Sequence, residues 1–262
     1  MVKLYRHNPY VRLGSDIVTV VMILGIASFG VAGGLLWWAD GNWPKAISLR
    51  ALGTNGVFAI ILLQNSAFVW WSWWRMTANQ RERLGLTIHS WPQVGLYSII
   101  GVPLVLASNI VVGVLFLLMG LHQNQTAGYP LVRGDYAGQL VFLVAAAIIA
   151  PFGEEFLFRG YFWERLAALR GRYGAIIGSA LIFAIGHSLS ASQGVIVLVV
   201  QTLVMGLVLG WLRDMSGSIW PGWVAHGVNN LLAVSVATYS LNNPSIDGIY
   251  NSIAIAIVRY CF

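Results

Sequence analysis

Glu154 and Glu155 stand side by side at the end of an apolar run that begins at Leu140, and Arg159 follows four residues after Glu155. An ionised side chain at the middle of a bilayer costs on the order of 3 kcal/mol, so two adjacent acids in such a run demand a reason. Glu155 and Arg159 share one helix face and can pair. Glu154 is rotated by about 100° from Glu155, which leaves it to face a cavity, and one arginine does not neutralise two carboxylates. His187 closes the apolar stretch Phe183-Ala184-Ile185-Gly186-His187, and His226 and Asn230 lie four apart in Trp223-Val224-Ala225-His226-Gly227-Val228-Asn229-Asn230. Each of these has a bland reading as a core histidine, inter-helix asparagine or helix-tying ion pair. An acid pair, two histidines and an asparagine on three apolar helices are harder to explain that way.

The residue types suit hydrolysis of a peptide bond, which needs an activated water and donors for a tetrahedral oxyanion. A carboxylate withdrawn from water holds a proton more readily and can act as general base near neutral pH. Glu154 fits that role, His187 can hold or polarise the same water, and His226 with Asn230 can donate to the oxyanion. Glu155 and Arg159 then support the arrangement from behind. No cofactor is required by these residues. Zinc stays open, because Glu154, His187 and His226 form an accepted catalytic ligand set, although no H-E-x-x-H pair is present. Ser188, Ser190 and Ser192 offer a nucleophile, but no Gly-x-Ser-x-Gly turn accompanies them.

The elements that must position these groups are membrane helices. Of the 262 residues 58% are hydrophobic and 9% charged, and mean hydropathy is +0.73. A soluble domain carries roughly 25% charged residues, so a soluble enzyme, a disordered chain and a nucleic-acid-binding module are excluded. The pattern predicts an all-α, polytopic membrane protein with about eight spans in a single domain, residues 1–262. They are read at 17–38, 57–74, 94–121 (interrupted by Pro103), 136–158, 175–187, 195–212, 220–241 and, more weakly, 249–258. Twelve Lys and Arg fall in the segments that are inside if the N-terminus is inside, and three fall outside. That bias predicts an N-in, C-in chain and a bacterial inner-membrane location. A water-filled cavity is expected to open to the inside face, where the fourth span ends, yet His187 then falls at the far end of the fifth. The single cysteine, Cys261, builds neither a disulfide nor a thiolate metal site.

Taken in order, Glu154-Glu155-x-x-x-Arg159, Phe183-x-x-x-His187 and His226-x-x-x-Asn230 resemble the motif set of the CPBP family. That family groups type II CAAX prenyl endopeptidases with bacteriocin-processing and abortive-infection-type proteins. The resemblance covers about residues 140–235. It implies an α-helical intramembrane endopeptidase, cleaving near the cytoplasmic face, in which Glu154 and His187 activate water while His226 and Asn230 form the oxyanion hole. The family is also described as metalloprotease-like, so the resemblance leaves a zinc-dependent version open. The implied partners are a peptide or membrane-protein substrate and the lipid bilayer, with no nucleic acid. A competing reading is a non-catalytic transporter, or an immunity protein that binds a peptide. Transporters often show internal repeats, and none is visible here.

Overall fold

The computed structural model describes residues 8–41, 49–121, 129–188 and 194–243. Among them every regular element is helical. Helix α1 (Pro9–Gly25) passes through a π-helical turn, Ile26–Val31, into α2 (Ala32–Asp40). There follow α3 (Leu49–Arg75), the short α4 (Ala78–Glu82) and α5 (Trp91–Leu118). Helix α6 (Tyr136–Val144), the π-segment Ala145–Ile149, α7 (Ala150–Glu155), the π-segment Phe156–Phe162 and α8 (Trp163–Ser188) run on without a loop. Helices α9 (Val195–Ser216) and α10 (Trp220–Asn242) complete the described fold. Local signals start several of these helices. The Asn8 side chain accepts from the Tyr10 N–H with Pro9 in the first turn, and Thr77 and Gln80 form a reciprocal capping box.

Five helices are long and apolar enough to cross a membrane: Pro9–Trp38, Leu52–Arg75, Trp91–Leu118, Tyr136–Ser188 and Val195–Ser216. The fourth and fifth expected spans are thus two arms of one helical run. Helix α10 occupies the expected seventh span but is less apolar than the five. The expected eighth segment lies outside the described residues, as do Ser190, Ser192 and Cys261.

The two arms fold back on each other at Gly171, whose φ of 69° and ψ of −172° form a conformation open almost only to glycine. Residues at similar distances from this turn meet. Leu166 packs against Gly178, the Phe158 and Phe183 rings meet edge-on at 5.2 Å, and Glu154 lies beside His187. Glu154 is 17 residues before the turn and His187 is 16 after it, so both sit about 25 Å along their arms. Helix α9 closes on α8 through glycines, since a Cβ on Gly206 would come within 3.0 Å of the Ala180 Cα.

Arginines gather at the turn end of the bundle. Arg75 and Arg165 face the buried Asp16, Arg172 pairs with Asp214, and Arg213 reaches Glu164 and the Arg83 carbonyl. The opposite end is tied by neutral groups: Thr54 donates to the Pro130 carbonyl, and Gln139 and Asn242 exchange amide hydrogen bonds.

Candidate active site

Glu154 and Glu155 lie between the two π-segments, where the backbone register slips by one residue on either side. Such slips re-aim side chains and are frequent at functional sites. The helix does not end at Phe158 as expected. It continues through the buried Arg159 to the Gly171 turn, so the acids stand midway along a helix rather than at its end.

Glu155 and Arg159 are both fully buried and pair at 2.9 Å. Arg159 also donates to the Gly206 carbonyl at 3.2 Å and lies over the Phe183 ring at 4.4 Å. The same Glu155 oxygen, Oε1, faces His226 Nδ1 at 3.3 Å. A carboxylate only accepts, so Nδ1 carries the proton and the lone pair of neutral His226 sits on Nε2. His187 Nδ1 faces the Phe183 carbonyl at 3.0 Å, which fixes the same tautomer there. Both Nε2 atoms then face Glu154 Oε2, at 3.9 Å from His187 and 3.7 Å from His226. Three lone-pair-bearing atoms thus converge at separations too long for direct hydrogen bonds. A proton, a water or a cation placed between them would bridge these acceptors.

These groups line a polar cavity of about 120 Å³. Its lining continues through Ala146, Phe142 and Tyr129 on one side and Met205, Thr202 and Leu198 on the other. All of these lead away from the arginine-rich end. The cavity therefore points away from the arginine-rich end. Leu84, Leu157, Phe162 and Leu212, all fully buried, fill that end instead. Burial pushes the Tyr129 hydroxyl up to about 12, so it remains a neutral phenol. A second, mainly apolar cavity of about 430 Å³ reaches Glu154 and His187 from the side of α1 and α3, between Leu24, Phe29, Phe68 and Phe158.

Glu154, His187, His226 and Asn230 come together, with Glu155 and Arg159 behind them. Asn230 lines the cavity but so does Asn229, so both amides face it. Asn109 of α5 and Gln201 of α9 line it too and were not anticipated. Each is a polar residue inside an apolar run, the same signal that marked Asn230. Asp16, one residue before the first expected span, is fully buried, accepting from Arg75 Nε at 3.1 Å and from the Tyr161 hydroxyl at 2.6 Å. The Ser188 hydroxyl donates to the Ile185 carbonyl at 2.6 Å, which leaves it poorly placed as a nucleophile. Glu154, His187 and His226 offer the right donor types for zinc. However, no three His, Cys, Asp or Glu side chains among the described residues are spaced to hold a metal ion.

One carboxylate and two imidazoles thus meet in the cavity, backed by a buried ion pair. Residues 136–232 match the model of the Rce1-like family of type II CAAX prenyl endopeptidases. The match contains Glu154, Glu155, Arg159, His187, His226 and Asn230, and excludes Asn109. No curated protein and no solved structure matches the chain.

Proposed function

We propose that the protein is an intramembrane endopeptidase that hydrolyses a peptide bond with a water activated by Glu154. The convergence of Glu154 Oε2 and two imidazole Nε2 atoms carries this reading. A water there donates one hydrogen to Glu154 and a second to His187 Nε2. Glu154 takes the proton as the water oxygen attacks the scissile carbonyl carbon. The oxyanion is held by an amide N–H of Asn230 and by His226. His226 donates from Nε2 only in its doubly protonated form, with Nδ1 held by the Glu155 carboxylate. Collapse of the tetrahedral species breaks the C–N bond, and the leaving amine takes the proton back from Glu154. No step passes through a metal.

The substrate we favour is a peptide or the tail of a membrane protein, its apolar part lying between α1 and α3 and its polar backbone among the cavity amides. We read the arginine-rich end as cytoplasmic, in a bacterial inner membrane, which gives an N-in chain. The cleavage site then lies within the membrane-spanning region, deeper than a site at the cytoplasmic face.

Comparative peptidomics of cells carrying the wild-type protein or Glu154→Ala identifies the peptide that is cut. Purified, detergent-solubilised enzyme is then assayed on it. The expected result is loss of kcat by at least about 10³-fold in Glu154→Gln, with insertion and folding retained. Cleavage that survives Glu154→Gln would reject the general base. Activity should also survive exhaustive chelation, whereas loss on chelation with recovery on added zinc would make Glu154, His187 and His226 ligands.

A further inference from the structure

A chain of three asparagine side chains crosses from α5 to the cavity wall. Asn109 Nδ2 donates to Asn229 Oδ1 at 2.7 Å, and Asn229 Nδ2 donates to Asn230 Oδ1 at 3.3 Å. Asn230 Nδ2 donates to the Ala146 carbonyl at 2.9 Å. An amide can face either way, so what fixes the direction decides what the cavity presents. The fixed point is the last link, because a backbone carbonyl can only accept. Asn230 must therefore turn its Nδ2 to Ala146 and its Oδ1 to Asn229. Asn229 must then donate from Nδ2 and accept at Oδ1, and Asn109 must be the donor. The Ala146 carbonyl is available for a local reason. In the π-segment the Ala150 N–H bonds to the Ala145 carbonyl, five residues back. The next carbonyl in that register would be served by residue 151, which is a proline and has no N–H.

We infer that Asn109 is a positioning residue for the hydrolysis: it holds the Asn229 amide, and through it Asn230, in the direction that the Ala146 carbonyl sets, so that the cavity meets N–H groups rather than carbonyl oxygens. This rests on the proposed role of Asn230. With every Oδ1 of the last two links occupied, their remaining N–H groups are the polar atoms that a developing oxyanion can use. Asn109 is buried on α5, outside the stretch that matches the family model. The site would then be braced from a helix that supplies no motif.

The test compares Asn109→Leu, which removes the donor at similar size, with Asn109→Gln, which keeps it, on the cleaved peptide. The expected result for Asn109→Leu is a fall in kcat of at least about 10-fold with KM within about 2-fold, at unchanged thermal stability. Asn109→Gln should recover most of the loss. Wild-type kcat in Asn109→Leu would overturn the inference, as would equal losses in both variants that follow a lowered unfolding temperature. Asn229→Asp, which accepts from Asn109 but has no donor for Asn230, should reproduce the fall in kcat and decides the matter if Asn109→Leu does not insert. Glu154→Gln is run alongside. Its survival removes the general-base role of Glu154 on which the inference rests, whereas an inactive Glu154→Gln beside a fully active Asn109→Leu removes only the role of Asn109.

Discussion

Gly222 stands in the first turn of α10 directly over the Glu155 carboxylate, and replacing it with alanine separates activity from stability. A Cβ at position 222 would lie 2.7 Å from Glu155 Oε2 and 3.4 Å from Glu155 Cδ. Ordinary carbon–oxygen contact begins near about 3.4 Å, so the carboxylate must retreat by roughly 0.7 Å. It can retreat, because the obstacle is the end of a side chain rather than backbone. Overpacking then costs near the lower end of about 1–3 kcal/mol, and alanine in a helix recovers about 1 kcal/mol over glycine. Packing and helix propensity together should change stability by less than about 1 kcal/mol. The atom that yields belongs to the group that holds His226, and their 3.3 Å contact passes beyond hydrogen-bond range after even half that movement. A lost hydrogen bond to a charged group is worth about 1.5–3 kcal/mol, or about 10- to 100-fold in rate. Gly222→Ala should thus lose no more stability than that one hydrogen bond supplies, while kcat on the identified peptide falls by about 10- to 100-fold even at temperatures where the variant is fully folded. Wild-type kcat, or a loss that merely tracks a lower unfolding temperature, would refute the coupling between Glu155 and His226.

Three further outcomes follow from the same geometry. Arg159→Met leaves the Glu155 charge buried without its main partner and should destabilise the protein by about 3–5 kcal/mol. Adding Glu155→Gln should recover much of that, and a single variant as stable as wild type in thermal unfolding contradicts the pairing. Asp16→Ala removes the acceptor shared by Arg75, Arg165 and Tyr161. It should loosen α1 from α3 and α8, seen as faster limited proteolysis before residue 41; unchanged digestion counts against this. Gly171→Ala forces a side chain into the conformation of the hairpin turn at a cost of about 1–3 kcal/mol, and it should lower kcat as well as the unfolding temperature. A variant with wild-type values of both would show that the turn does not set the register.

The helical class, the membrane setting and the six motif side chains were legible because each breaks a simple pattern. Charged or hydrogen-bonding residues interrupt runs that are otherwise apolar. What one strand of sequence does not carry is where the runs fold back. The break at Gly171 sits among charged residues that read as an ordinary connection, so the sequence shows a span ending near Phe158 and not the arm that runs on to the turn. Once the arm continues to residue 170, the strain over His187 disappears, because the turn matches it to Glu154. Asn109 and Gln201 carried the same polar-in-apolar signal as Asn230, but no spacing tied them to a histidine. Asp16 looked like an interfacial acid because its partners, Arg75, Arg165 and Tyr161, are 59 or more residues away.

The near-equal lengths of the two arms that meet at Gly171 limit how this chain can vary. An insertion or deletion of one residue between 155 and 170 would rotate Glu154 by about 100° and move it by about 1.5 Å relative to His187. A matching change between 172 and 186 would restore the depth but not the facing direction. Length drift should therefore be tolerated at the outer loops, and within the hairpin only as whole turns added to both arms together.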